Sequence, residues 1–250
     1  MRYAILASGS KGNATVVEAG GHYLLIDMGL PFIELQRRLQ LLNLTFAQMD
    51  AVLVTHEHID HIRSLHRAPL PMVYASNGTC DHSVEHELCL WQHHLIAGVD
   101  VLVLPTSHDV VNGVGFVLQH EGETLVYITD TGYLPEKMDP FLANATHYIL
   151  ESNHDVRMLL STERPQRLKK RILSDSGHLS NEAAAEALCR FVGPKTRSIV
   201  LAHVSEEANT PALAHQTLIQ TFTEAGISLE GISVQVAAQH DVTKGEGFWE

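Results

Sequence analysis

The stretch Thr55-His56-Glu57-His58-Ile59-Asp60-His61 directly follows the apolar residues 51–54. Side chains alternate along a strand, so His56 and His58 point the same way and can bind one metal ion together as the strand ends. Asp60 and His61 lie just beyond, where we expect the chain to turn into a helix, and can face a second ion. Two neighbouring ions held by nitrogen and carboxylate oxygen activate water and position a hydrolysable substrate. The stretch therefore predicts a dinuclear metallohydrolase rather than a polar turn with chance histidines.

Two ions need more ligands than this stretch supplies, and each further ligand should follow a strand. Three polar residues do so, because His108, Asp130 and His203 come after the apolar runs 101–105, 125–129 and 199–202. Taken singly, each is equally explained as a polar end to a strand. Asp130 is the natural bridge, since a carboxylate offers two oxygen atoms. We assign the first ion to His56, His58, His108 and Asp130, and the second to Asp60, His61, His203 and Asp130, with a water molecule between them as the nucleophile.

Apolar alternation and turn residues divide the chain into short strands and a few helices. Helices are predicted over 31–42, 81–94, 181–191 with Ser180 as N-cap, and 211–225. Strands are predicted over 2–7, 14–18, 23–26, 51–54, 72–75, 100–104, 115–119, 124–129, 147–150, 198–201 and 233–237. This mixture predicts an α/β (α+β) fold with two mixed β-sheets packed face to face and helices outside. One domain over 1–250 is expected, because a single core can grow to about this size.

Composition limits the compartment and the partners. No apolar run approaches the roughly 18 residues of a membrane span, and residues 1–6 enter a strand directly instead of forming a secretory signal. Three cysteines without zinc or redox spacing suit a reducing, cytoplasmic setting. The formal charge of −12 argues against a generally basic surface that binds nucleic acid.

A local basic surface is compatible with that charge, because six of the seventeen Lys and Arg residues fall within 157–171. The plain interpretation is a solvated helix face. The alternative is a patch that contacts the phosphates of nucleic acid, for which Arg167, Lys169, Lys170 and Arg171 are the candidates.

Histidine and cysteine also recur at helical spacing in the predicted helix over 81–94. His82, His86, Cys89 and His93 would lie on one face of that helix. A partly buried face is the favoured interpretation and an accessory metal site the alternative, so the role of this stripe is left open.

The run 55–61 matches the H-x-H-x-D-H signature of the metallo-β-lactamase superfamily. Within it, the chain resembles the YycJ/WalJ group, which is related to RNase Z and to cyclic phosphodiesterases of the phosphonate pathway. Besides 55–61, the resemblance is carried by residues 8–13, 25–29, 107–109, 129–132, 151–155, 177–181 and 202–205. It implies a four-layer αβ/βα sandwich with a dinuclear centre, and nuclease activity such as that of a double-strand DNA 5′ exonuclease.

His178 is the candidate catalytic residue that is not a ligand, because it precedes the N-cap Ser180 and related phosphodiesterases have a histidine at this place. As an imidazolium it would protonate the leaving oxygen or neutralise charge on the phosphorus, while Asp60 and Asp130 act in catalysis through the ions. Residues that would support ligands or contact substrate are Asp27, Ser10, Asn13, Asn153 and Asp155.

These features favour hydrolysis of a phosphodiester, with nucleic acid as the substrate. A small-molecule cyclic phosphodiesterase and a glyoxalase II-type thioester hydrolase are the alternatives, and a metal-binding scaffold protein is the non-enzymatic one. Zinc is the favoured metal, with manganese and iron as alternatives. DNA or RNA, end or internal cleavage, and the oligomeric state, including a homodimer, are left open.

Overall fold

The computed structural model describes residues 1–79 and 85–245. Contacts between Cα atoms divide these residues into two compact units, each built from separate segments of chain. The first unit contains Met1–Pro105, Val110–Glu123 and the chain from Ala238 onward, and the second contains Thr106–Asp109 and Thr124–Ala237. The prediction of one domain over 1–250 stays a prediction, since this division does not test whether either unit folds alone.

The first unit contains a mixed sheet that ends next to the histidine stretch. The strands β1 (Arg2–Ala7), β2 (Ala14–Ala19) and β3 (His22–Ile26) are antiparallel, and Gly20 and Gly21 turn the second hairpin with positive φ angles. The strands β4 (Ala51–Val54), β5 (Val73–Ala75) and β6 (His86–Glu87) continue the sheet in parallel, and β14 (Thr243–Lys244) pairs with β1. Because β4 is buried throughout, its end delivers His56 from a rigid strand.

Two helices of the first unit follow the predicted pattern. The helix α1 (Phe32–Gln40) buries Leu35 and Leu39 in the same apolar cluster as Val52 and Val54 of β4, as its amphipathic sequence indicates. The short helix α2 (Ile59–Ile62) begins after His58, so Asp60 and His61 are helical as expected.

The predicted helix over 81–94 is wrong for residues 85–94, which are the part of it that the structure describes. His86 lies in β6, where it pairs with Tyr74, and the two rings stack at 4.4 Å. His93 begins β7 (His93–Ile96), which is antiparallel to β8 (Val99–Pro105), and β8 is antiparallel to β9 (Val114–His120). Sheet pairing here uses the backbone groups that a helix would need, so His86, Cys89 and His93 do not share a helix face. His82 lies outside the described residues.

The second unit contains four parallel strands. They are β10 (Glu123–Ile128), β11 (His147–Glu151), β12 (Ser198–Ala202) and β13 (Ser233–Val236). The carboxyl ends of parallel strands lie at the same edge of a sheet, so the residues after β10, β11 and β12 come together there. This edge carries Asp130, Glu151 and His203.

Five helices accompany these strands. They are α3 (Asp139–Leu142), α4 (Val156–Ser161), α5 (Gln166–Ile172), α6 (Asn181–Phe191) and α7 (Pro211–Glu224). The Ser180 side chain accepts a hydrogen bond from the Ala183 N–H, which confirms the predicted N-cap of α6. None of the helices in the described residues is long and apolar enough to span a bilayer.

Candidate metal centre

Three imidazoles converge at the end of β4 in the first unit. The ring centroid of His56 lies 4.8 Å from that of His58 and 3.9 Å from that of His61. His56 and His61 are buried, and His58 is partly exposed. The stretch 56–61 therefore gathers its histidines into one cluster, as its spacing predicts.

Asp27 and Thr55 orient two of these imidazoles. His61 Nδ1 lies 2.7 Å from Asp27 Oδ2, and Thr55 donates its backbone N–H to Asp27 Oδ1 at 2.9 Å. The Thr55 hydroxyl also lies 3.1 Å from His56 Nδ1. Burial raises the pKa of Asp27, although the charge of His61 and the hydrogen bonds of His61 and Thr55 act in the opposite direction. Asp27 follows β3 and orients His61, a predicted ligand. This contact agrees with the prediction that Asp27 holds a ligand in place.

The glycine loop 8–13 holds the same cluster from another side. Asn13 Nδ2 lies 3.0 Å from His61 Nε2 and 3.4 Å from Asp60 Oδ2, and its backbone N–H donates to the Asp60 carbonyl at 2.7 Å. Gly29 approaches so closely that an added Cβ would lie 1.6 Å from the Asp60 carbonyl oxygen. Asn13 therefore contacts predicted ligands, whereas Ser10 is exposed and its contact with substrate stays a prediction.

A second cluster lies at the strand edge of the second unit. One candidate ligand atom from each of Asp130, Glu151, His178 and His203 lies within 4.8 Å of the others. Asp130 and His203 adopt left-handed backbone conformations, with φ of 53° and 54°. Non-glycine residues seldom adopt such angles, and these conformations concentrate at functional sites.

Glu151 is the central residue of this cluster, although it is not among the residues predicted from the sequence for the site. Its Oε1 lies 2.7 Å from His178 Nδ1 and 2.9 Å from His203 Nδ1, and its Oε2 accepts from the backbone N–H groups of Thr131 and Leu179. Burial raises the pKa of Glu151, but attraction to His178 and the hydrogen bonds of His178 and His203 outweigh it and lower the pKa to about 2. Glu151 is therefore a buried anion that holds two imidazoles at once.

His108 joins the same cluster through its own loop. His108 Nδ1 donates to the Gly177 carbonyl at 2.9 Å, and its Nε2 lies 3.8 Å from Asp130 Oδ1. Burial lowers the pKa of His108, which favours the neutral imidazole that binds metals. The second unit thus gathers His108, Asp130 and His203, and the first gathers His56, His58, Asp60 and His61.

The donor chemistry of both clusters fits a divalent metal. His61, His108 and His203 each have a protein oxygen at Nδ1, from Asp27, Gly177 and Glu151 respectively. A partner at Nδ1 fixes the tautomer and makes Nε2 the coordinating nitrogen, as in carboxylate–histidine–metal arrangements. His178 has the same partner as His203, but its side chain is 17% exposed against 2% for His203. Accessibility rather than bonding therefore separates His178 from His203.

The segment after β11 supports the second cluster. Asn153 Nδ2 donates to the His203 carbonyl at 2.9 Å, so Asn153 positions a predicted ligand. Asp155 caps α4 by accepting from the Met158 N–H at 2.7 Å, and its contact with substrate stays a prediction. His154 is buried, and burial lowers its pKa to about 4.

One of the four residues predicted for the basic patch faces the protein interior. Lys169 is 4% exposed, and its Nζ donates to the carbonyl oxygens of Leu160 and Thr162 at 2.6 Å. Assigning Lys169 to a solvent-facing patch was wrong, because its ammonium group is used to bind backbone carbonyls at the end of α4. Arg167, Lys170 and Arg171 are exposed.

Comparison with known proteins confirms the resemblance. A family model described as a β-lactamase superfamily domain matches residues 22–204. The chain is 36% identical to exodeoxyribonuclease WalJ of Streptococcus pneumoniae serotype 2, across 94% of this chain and 93% of the relative.

Solved structures confirm the predicted fold class. The metallo-β-lactamase fold protein YhfI of Bacillus subtilis has a TM-score of 0.69 at 16% identity, covering 98% of this chain and 100% of that chain. Zinc-bound PqqB of Methylobacterium extorquens has a TM-score of 0.67 at 16% identity, covering 97% and 99%. Over the described residues, the strands form two mixed sheets of seven strands each. The clusters of His and Asp side chains are typical of a protein that binds divalent metal ions. The chain therefore belongs to the metallo-β-lactamase superfamily and, within it, to the family of WalJ.

Proposed function

We propose that this chain is a metal-dependent nuclease that hydrolyses phosphodiester bonds of nucleic acid, with the DNA 5′ exonuclease reaction as the leading candidate. The observation that carries the proposal is the buried Glu151 anion, which holds His178 beside the predicted ligand His203. Such an arrangement would supply a proton donor next to a metal-ligand cluster, and protonation assists the departure of an alkoxide from phosphorus. The name of the relative WalJ supports DNA as the substrate.

The proposed ligand assignment is the one made from the sequence. His56, His58, His108 and Asp130 would hold one ion, and Asp60, His61, His203 and Asp130 would hold the other. Zinc is favoured because nitrogen donors predominate, with manganese and iron as alternatives. When bound, the two ions would polarise the phosphate group and activate water for attack at phosphorus.

His178 would act on the leaving group. Its Nδ1 is held by Glu151, so Nε2 is the atom that would give a proton to the departing oxygen. The Glu151 carboxylate at 2.7 Å fixes the orientation and the tautomer of the His178 ring. Proton donation of this kind accelerates such reactions by roughly 10²–10⁴-fold.

The alternatives differ in their use of His178. A glyoxalase II-type thioester hydrolase releases a thiolate, which needs no proton donor of this strength, and a metal-binding scaffold needs none at all. A small-molecule cyclic phosphodiesterase would use His178 in the same way, so substrate size is what separates it from a nuclease.

The decisive experiment uses the purified protein with its metal content measured by plasma mass spectrometry. It is assayed on bis-p-nitrophenyl phosphate, on single- and double-stranded DNA and RNA labelled at the 5′ end, on a cyclic phosphodiester and on a thioester. We expect loss of the 5′ label from DNA as a mononucleotide. Hydrolysis of the thioester alone, or of the cyclic diester alone, would replace the proposal with the corresponding alternative.

A cytoplasmic location belongs to the same proposal. Cys89 and Cys189, the cysteines among the described residues, are free thiols, as is usual in a reducing compartment.

A further inference from the structure

The basic residues of 157–171 divide into two groups by their contacts. Arg164 pairs with Glu207 at 2.8 Å, Arg171 pairs with Asp109 at 2.6 Å, and Lys169 is buried against carbonyl oxygens. The other three, Arg157, Arg167 and Lys170, are exposed and make no ion pair with residues 1–79 or 85–245. Glu163 is the one exposed acid in this stretch. We call Arg157, Arg167 and Lys170 the basic face.

Two residues of the basic face, Arg167 and Lys170, lie on α5, which contacts the second cluster. Arg167 and Lys170 are three residues apart on α5, so they lie on one side of that helix. The Ile172 carbonyl at the end of α5 accepts from the His178 N–H at 3.0 Å, and the next loop binds His108 through Gly177. A single short loop therefore separates the basic face from the proposed proton donor.

The paired arginines fix the position of this surface. Arg171 binds Asp109, which is the residue next to His108, and Arg164 binds Glu207 in the segment that follows His203. Both ion pairs tie the region of α4 and α5 to segments that carry predicted ligands. The three unpaired cations are consequently held at a defined place relative to the cluster.

We propose that the basic face binds the phosphate backbone of the nucleic-acid strand that extends from the cleavage site, an inference that rests on the proposed function. The chain carries a formal charge of −12 and would repel a polyanion in general. Three unneutralised cations on α4 and α5 would oppose that repulsion locally. The seven residues of α5 rise about 10 Å, enough to follow about three phosphates at ~3.4 Å each.

Contacts of this type are made to phosphates and not to bases, so binding should depend on strand length and salt but not on sequence. A mononucleotide or a small diester offers a single phosphate, so it cannot occupy the cluster and the basic face at the same time. The basic face therefore predicts a preference for long substrates over short ones.

The test compares two double variants with the same change in charge. Arg167→Glu with Lys170→Glu alters the basic face, and Lys137→Glu with Lys195→Glu alters exposed lysines elsewhere in the same unit. Affinity for a fluorescent 30-nucleotide DNA and its RNA counterpart is measured by anisotropy in a His178→Ala background, over times short enough that the slowed turnover leaves the strand intact. Turnover of the 30-nucleotide DNA and of bis-p-nitrophenyl phosphate is measured with His178 intact.

We expect the basic-face variant to bind DNA at least tenfold more weakly, with the slope of log affinity against log salt reduced by about 1.5 for two lost contacts. The matched variant should change affinity by less than threefold, and turnover of the small diester should stay within twofold in both. Equal weakening by the two variants, an equal loss on the small diester, or no measurable binding of either strand would overturn the inference. If the wild-type chain cleaves no diester but the basic-face variant alone loses binding, the surface stands and the proposed function fails.

Discussion

The two ligand clusters are held by carboxylates that work differently. Asp27 lies 2.7 Å from one imidazole, His61, and both side chains are fully buried. Glu151 lies within 2.9 Å of two imidazoles, of which His203 is buried and His178 is partly exposed. The first arrangement can only orient a predicted ligand, whereas the second connects a predicted ligand to the proposed proton donor, which is accessible. The two proposed functions, binding the metal and donating the proton, are therefore separable by mutation of the histidines. Both depend on Glu151, which contacts His203 and His178.

The largest effect is expected from Asp130→Ala, because Asp130 is assigned to both ions. Metal content and turnover should fall together, with turnover reduced to background. Plasma mass spectrometry and the DNA assay check this on the same sample. Two ions still bound per chain would show that Asp130 is not the bridge.

Glu151→Gln should come next, because both functions of the second cluster depend on this anion. Loss of an orienting carboxylate costs roughly 10–100-fold in metal affinity, and the weaker acid–base function of His178 adds to this. We expect turnover to fall by about 10³-fold, from the combination of these two effects. Normal metal affinity together with normal turnover in this variant would show that Glu151 supports neither metal binding nor proton donation.

His178→Ala should separate the two functions of that cluster. Both ions should stay bound while turnover of DNA falls at least tenfold, consistent with the roughly 10²–10⁴-fold contribution of a proton donor. A substrate with p-nitrophenolate as leaving group needs no proton at its departing oxygen, so bis-p-nitrophenyl phosphate should be affected less than DNA. Loss of metal from this variant would instead make His178 a ligand.

Asp27→Asn is the smallest and most selective change. The amide keeps the size of the side chain but removes the charge opposite His61, so metal affinity should fall about 10-fold to 100-fold. Turnover at saturating metal should be nearly normal, because Asp27 orients His61 and has no proposed part in protonating the leaving group. A chelator titration measures the metal affinity. A loss of turnover that excess metal does not restore would contradict the conclusion that Asp27 only orients a ligand.

The first cluster could be predicted from sequence because its residues are contiguous and follow a recognisable strand. The strand over 51–54 and the helix over 181–191 have the predicted bounds, since apolar runs and the Ser180 cap identify them. The same reasoning at strand ends identified His108, Asp130 and His203.

The misses have specific physical causes. Glu151 was overlooked because the strand was predicted to end at Leu150, although a polar residue at the end of a buried strand is the signal that identified Asp130. Lys169 was assigned to the surface because a run of basic residues does not show which member turns inward to bind carbonyl oxygens. The helix predicted over 81–94 failed because pairing with β5 and β8 outweighs helical spacing over its described residues.

The proposed ligand assignment has two ions, with Asp130 shared between them. Anomalous diffraction from crystals of the zinc-loaded protein, recorded at the zinc edge, tests it most directly. We expect two peaks per chain, each about 2.0–2.2 Å from the Nε2 atoms of its histidines, with an Asp130 oxygen on both. A single peak, or peaks held by residues of one cluster alone, would contradict the account.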